Sequence, residues 1–188
     1  MRERTINLLI NRGVTINDIS ELVYFLQKTY LPDITIIQCT DSVAAVLSKR
    51  EVQNAVITGI QLDILTEKKQ LFEPLQTMLD HDEGLYGVDE TLALSIVNVY
   101  GSIGLTNYGY IDKIKPGILA KLNAHEKGQI HTFLDDLVGA IAAAAASKMA
   151  HKDPEEQDDD FRYLSTTNIL YFKRSITLGN SNRFYYPY

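Results

Sequence analysis

Apolar residues recur along this chain at helical spacing. Ile19, Leu22, Val23, Leu26 and Tyr30 lie three and four residues apart, which lines one face of a helix. Thr15, with Asp18 three residues later, is a capping-box-like opening to it. LPDITIIQC then reads as a short extended or irregular crossing. A second helix is predicted from about Asp41 through Val43, Val46 and Leu47 to Arg50. A third continues through Val52, Val56, Ile60 and Ile64 to Glu67, with Gly59 a close-packing point inside it. Pro74 suits the first turn of a shorter helix ending near Asp80. Another helix is predicted from about Asp89 to Tyr100, and a short one near Ile118 to Leu122. Between them GSIGLTNYGYIDKIKPG reads as loop-rich, because it carries Gly101, Gly104, Gly109, Pro116 and Gly117.

The last predicted helix, Thr132 to about Met149, has a different pattern. After Asp136 the next charged residue is Lys148, and nearly every side chain between them is small or apolar. Such a helix belongs in the middle of a fold. Six or seven helices with no strand alternation indicate an all-α single domain within residues 1–150, packed around a central buried helix at about 132–149. Beyond it the composition changes. KDPEEQDDD should be solvated. The rest of the 151–188 tail holds Tyr163, Tyr171, Tyr185, Tyr186 and Tyr188 and no acidic residue. It reads as a flexible tail before a strand pair or a partner-binding arm.

The chain has 188 residues, enough for a substantial core. A net charge of -6 with no basic run argues against nucleic acid as a partner. A single cysteine, Cys39, excludes an internal disulfide and reads as a buried small residue. The N-terminus has no signal-peptide pattern, and no window offers the roughly 18 apolar residues a spanning helix needs. A soluble, cytoplasmic protein is expected, touching the inner face of a membrane at most peripherally.

Three segments carry chemistry. His131, Asp135 and Asp136 stand at the head of the apolar helix. His131 and Asp135, four apart, would share a helical face, with Asp136 turned by about 100° from Asp135. Thr132 to Asp135 is itself capping-box-like, so Asp135 serves equally as cap or ligand, whereas Asp136 is left without a capping role. The second segment, DEGLYGVDE, places Asp82, Glu83, Asp89 and Glu90 within a short glycine-containing stretch. Asp89 could cap the next helix, yet four carboxylates exceed what one cap needs. An EF-hand is excluded, because Leu85 and Thr91 fall where its glycine and glutamate belong. These are hard oxygen ligands suited to magnesium or manganese, and no histidine has soft-metal spacing with Cys39. The third segment, Tyr110 to Gly117, offers Asp112 with Lys113 and Lys115, lysines that are solvated or hold the phosphate of a metal-bound substrate.

At these segments the chain resembles the phosphatidylglycerophosphatase A family, and within it the soluble Bacillus-type members. Val88-Asp89-Glu90 is similar to the family's acid pair on a helix. Tyr110 to Pro116 resembles its aromatic–x–Asp…Lys-Pro loop, and Leu134 to Ala140 its Asp-Asp element followed by small residues. The resemblance covers roughly residues 5 to 150. It implies an all-α, magnesium-dependent phosphatase that converts phosphatidylglycerophosphate to phosphatidylglycerol. By position it implies that Asp89, Glu90, Asp135 and Asp136 hold the metal, that Asp112 supports them, and that Lys115 faces the phosphate. In such a site Asp136 or Glu90 would take the proton of an attacking water, and His131 would protonate the departing alkoxide. Membrane-bound relatives carry apolar spans and an N-terminal Pro-Gly-Thr loop, where this chain has Gln38 to Ser42. The alternatives are therefore a phosphatase of soluble phosphate esters, or a helical homo-oligomer that binds a cation or small ligand without catalysis.

Overall fold

A computed structural model describes residues 1–124 and 128–151. The described chain is all-helical: α1 (Arg2–Asn11), α2 (Ile16–Gln27), α3 (Ile36–Val46), α4 (Arg50–Glu67), α5 (Leu75–Asp80), α6 (Val88–Val97), α7 (Gly101–Ile114), α8 (Ile118–Asn123) and α9 (Leu134–Ala150). A 3-10 turn, Asn98–Tyr100, links α6 to α7. The acidic run and the tyrosine-rich stretch lie outside the described residues.

Helix α9 is the hub, and α2, α3, α4, α6, α7 and α8 all pack on it. Every residue from Leu134 to Ser147 is buried, as the sequence pattern predicts for a central helix. Its alanines let surrounding helices approach closely, which a column of leucines would forbid. At Gly59 the small residue is on α4 instead: a Cβ there would stand 2.5 Å from Leu137 Cδ1 and 2.9 Å from Phe133 Cβ, so those two side chains lie directly against the α4 backbone. At the far end of α9, Gln27 Nε2 and Ser42 Oγ donate to the carbonyls of Ala146 and Ala145, each at 2.9 Å. At this end of the helix both polar side chains are thereby satisfied.

Two stretches depart from the sequence expectation. GSIGLTNYGYIDKIKPG is largely the helix α7, not a loop. Gly104 faces inward, where a Cβ would stand 3.0 Å from Val97 Cγ1, so this glycine serves packing rather than a turn. Tyr108 and Ile111 continue the same buried stripe. Lys115, at φ 44°, then ends the helix in a left-handed conformation just before Pro116. Likewise LPDITIIQC is not an extended crossing throughout. α3 begins at Ile36 with a capping box: Gln38 N donates to Thr35 Oγ1 (3.3 Å) and Thr35 N to Gln38 Oε1 (2.8 Å). The box at Thr15 and Asp18 forms as predicted. α1, with only Thr5 and Leu9 buried, was too weakly patterned to be predicted. Cys39 is buried, and burial pushes its thiol pKa up, which fits an inert core residue. Among the described residues no helix is long and apolar enough to cross a membrane.

Candidate active site

The head of α9 is assembled by three helices. α9 supplies Asp135 and Asp136, the C-terminal turn of α7 supplies Asp112 and then Lys115, and the first turn of α6 supplies Asp89. The left-handed turn at Lys115 swings its side chain back over α7 toward α9. Its ammonium lies 2.6 Å from Asp112 Oδ1, 2.8 Å from Asp135 Oδ2 and 3.7 Å from Asp136 Oδ1. One cation is thus shared by three carboxylates.

The electrostatics report that crowding. Burial pushes the Asp136 carboxyl up to about 8, and the neighbouring charge of Asp135 adds to the shift more than Lys115 relieves it. Asp135 is also raised by burial, with Lys115 opposing. Asp89 is raised by burial and by Asp82, while the amide of Glu90, 2.9 Å from its Oδ1, and Lys115 pull it back. Burial disfavours the charge on Lys115, but Asp135 and Asp112 outweigh it and the ammonium pKa rises. Asp135, Asp136 and Lys115 therefore set one another's protonation.

The structure brings Asp82, Asp89, Asp112, Lys115, Asp135 and Asp136 into one electrostatic group. It leaves Glu83 and Glu90 exposed on the α5–α6 connection and the first turn of α6, and Lys113 exposed on α7. His131 does not share a helical face with Asp135, because it precedes the helix. Its Nδ1 lies 3.3 Å from Arg12 Nη2. Arg12 in turn grips Glu67 through both terminal nitrogens, at 3.0 and 2.6 Å, and donates to Ile130 O at 2.7 Å. Ile130 N donates to Glu67 Oε1 at 2.9 Å, so this network fixes the chain as it enters α9.

The predicted capping box at Thr132 and Asp135 does not form. Thr132 Oγ1 donates instead to Leu79 O at 3.1 Å. The cap comes from α4: Asp63, fully buried, accepts from Phe133 N and Leu134 N, each at 3.1 Å. Burial pushes its pKa up to about 8, opposed by those two amides and by Arg12. With Asp63 in place, Asp135 is released from capping and committed to Lys115. Asp63 was missed from sequence, though a signal existed. It continues the buried stripe Val52, Val56, Gly59 and Ile60, where a lone carboxylate is out of place.

The donor set consists of hard carboxylate oxygens, the kind magnesium takes. Among the described residues no three ligating side chains converge at metal distance as they stand, since the Lys115 ammonium fills the point where the carboxylates meet.

The phosphatidylglycerophosphatase A family model matches residues 6–151. The Bacillus subtilis protein YutG is 68% identical over 141 residues, covering 75% of this chain and 85% of its own length. A Bacillus stearothermophilus protein of unknown function has a solved structure with a TM-score of 0.80 and 61% identity, over 81% of this chain and 95% of that one. The low temperature requirement C protein of Listeria monocytogenes gives a TM-score of 0.78 at 65% identity, over 80% of this chain and 94% of that one. With its fold, its three ordered acidic segments and this match, the chain belongs to the phosphatidylglycerophosphatase A family.

Proposed function

We propose that the protein is a magnesium-dependent phosphatase that removes the terminal phosphate of phosphatidylglycerophosphate. The observation that carries this reading is the imbalance at the head of α9, where three carboxylates share one ammonium and Asp136 is driven toward its neutral form. A buried carboxylate set in excess of its counter-charge is a site for a hard cation, and family membership supplies the phosphoryl chemistry.

In this reading Asp89, Asp135 and Asp136 hold the metal, and Asp112 orients Lys115. When bound, the metal supplies charge neutralisation and a water of lowered pKa. Lys115 would offer its ammonium to the substrate phosphate as a point-charge donor. Asp136 would accept the proton of the attacking water. His131 is held by Arg12 in the network that positions α9, and we assign it no proton transfer. Glu90, exposed at the mouth, is the candidate outer ligand.

The test is phosphate release from phosphatidylglycerophosphate in mixed micelles, with magnesium and with chelator, beside a panel of soluble phosphate esters. Magnesium-dependent release from the lipid supports the reading. Turnover of soluble esters alone keeps the metal site and replaces the lipid. Metal binding with no turnover of any ester leaves a cation-binding protein and overturns the phosphatase.

A further inference from the structure

Tyr108 of α7 reaches the head of α9 without a task in the account above. Its ring lies over Gly139, one turn beyond Asp136, where a Cβ would stand 3.6 Å from Tyr108 Cε2 and 3.7 Å from Cδ2. The absence of a side chain at Gly139 thus gives the ring a flat seat on α9. The residue is only 6% exposed, and its hydroxyl has no partner in hydrogen-bonding geometry. Burial, then the charge of Asp136, followed by that of Asp112 and the approach of the hydroxyl to the Asp136 carboxylate, raise its pKa, so the phenol keeps its proton and faces Asp136 without a well-aligned bond to it.

A buried donor whose neighbouring acceptor, Asp136, is not in hydrogen-bonding geometry is costly and is rarely left so in a working state. The nearby acceptors are partly spoken for, since Lys115 takes Asp112 Oδ1 and Asp135 Oδ2. Arg12 Nε is also unpartnered, but the rest of its guanidinium is already bonded to Glu67 and Ile130. Tyr108 instead offers its whole polar end to the acidic pocket. Resting on the phosphatase reading, we propose that Tyr108 is a binding residue of this pocket, its hydroxyl donating to an oxygen of the phosphoryl group held there.

The minimal test is Tyr108→Phe, which removes the hydroxyl and leaves the ring on Gly139. Wild type and variant are titrated calorimetrically with magnesium alone, then with inorganic phosphate at saturating magnesium, and their Tm values are compared. The variant should bind phosphate about tenfold more weakly or worse, as for loss of a hydrogen bond to a charged group. Its magnesium affinity should stay within about twofold of wild type, and its Tm should be equal or higher, because the lost hydroxyl made no well-formed bond. Unchanged phosphate affinity overturns the inference. So does an equal loss of magnesium affinity, which would mean that Tyr108 acts through Asp136, and so does a lowered Tm. Wild type that binds neither magnesium nor phosphate overturns the phosphatase reading and the inference together. That result is distinct from one in which wild type binds both and Tyr108→Phe matches it.

Discussion

Two ion-paired regions flank the entry to α9, and they are built on opposite principles. At Arg12 one guanidinium meets one carboxylate, Glu67, through two parallel bonds, and the backbone of Ile130 bonds to both. Burial opposes ionisation of Glu67, yet the Arg12 hydrogen bonds prevail and its pKa falls. At Lys115 a single ammonium is divided among Asp112, Asp135 and Asp136, and Asp136 remains raised. The first region is balanced in charge, with Arg12 Nε left without a partner, which suits a structural clamp. The second holds more buried negative charge than its lysine answers, which suits a site completed by a ligand. An ion pair and an acidic pocket can look alike in sequence, and the charge balance separates them.

Removing a carboxylate from the unbalanced region should have the largest effect. Asp136→Asn is expected to lower magnesium-dependent phosphate release on the order of 10³-fold, the scale of losing metal-assisted charge stabilisation. Full turnover in that variant would remove Asp136 from the mechanism. Its stability should change little or improve, because an amide avoids the cost of keeping protonated in the fold a carboxyl that is ionised in the unfolded chain at neutral pH. Thermal denaturation checks that half of the contrast.

In the balanced region the expected loss is in stability. Arg12→Ala strands Glu67 and frees the chain at Ile130, and should cost about 3 kcal/mol, reduced somewhat by the partial exposure of Glu67. Magnesium affinity, measured calorimetrically on the folded variant, should be retained. If it fell as steeply as stability, the two regions would not be separable. Gly59→Ala should cost about 1–3 kcal/mol, because its Cβ would strike Phe133 Cβ, which has no flexible end to move aside. Chemical denaturation reads that loss.

The smallest effect is in pH dependence, and its sign follows from Asp136. In the free protein its pKa lies above neutral, so near pH 7 the carboxyl carries a proton that a metal must displace. Magnesium affinity should therefore rise as pH rises, by up to about tenfold per unit below that pKa, and level off above it. Titrations in buffers of different ionisation enthalpy would show the released proton. A flat profile from pH 6 to 9 would mean that Asp136 is already ionised and the crowding is not felt.

Much of this was legible in the sequence. The central helix was visible because it lacks charge between Asp136 and Lys148, and Gly59 was visible inside an apolar repeat. The acidic segments were visible as carboxylates in excess of capping needs. What escaped depended on partners distant in sequence. α7 was hidden because Gly101, Gly104 and Gly109 resemble turn residues, and only the closeness of Val97 on α6 shows why Gly104 is small. Local spacing left Asp135 equally cap or ligand, whereas the cap of α9 is Asp63, which arrives from α4. His131 seemed to belong with Asp135 by counting, but the helix begins after it and Arg12 holds its ring.

The most direct test of the central claim is a crystal of the protein soaked in manganese and measured at an anomalous wavelength. The account predicts a peak about 2.2 Å from carboxylate oxygens of Asp135 and Asp136, with Asp89 beside it and Lys115 moved off Asp135. No peak, with Lys115 still bridging Asp112 and Asp135, would show that the lysine is the cation this site was built to hold.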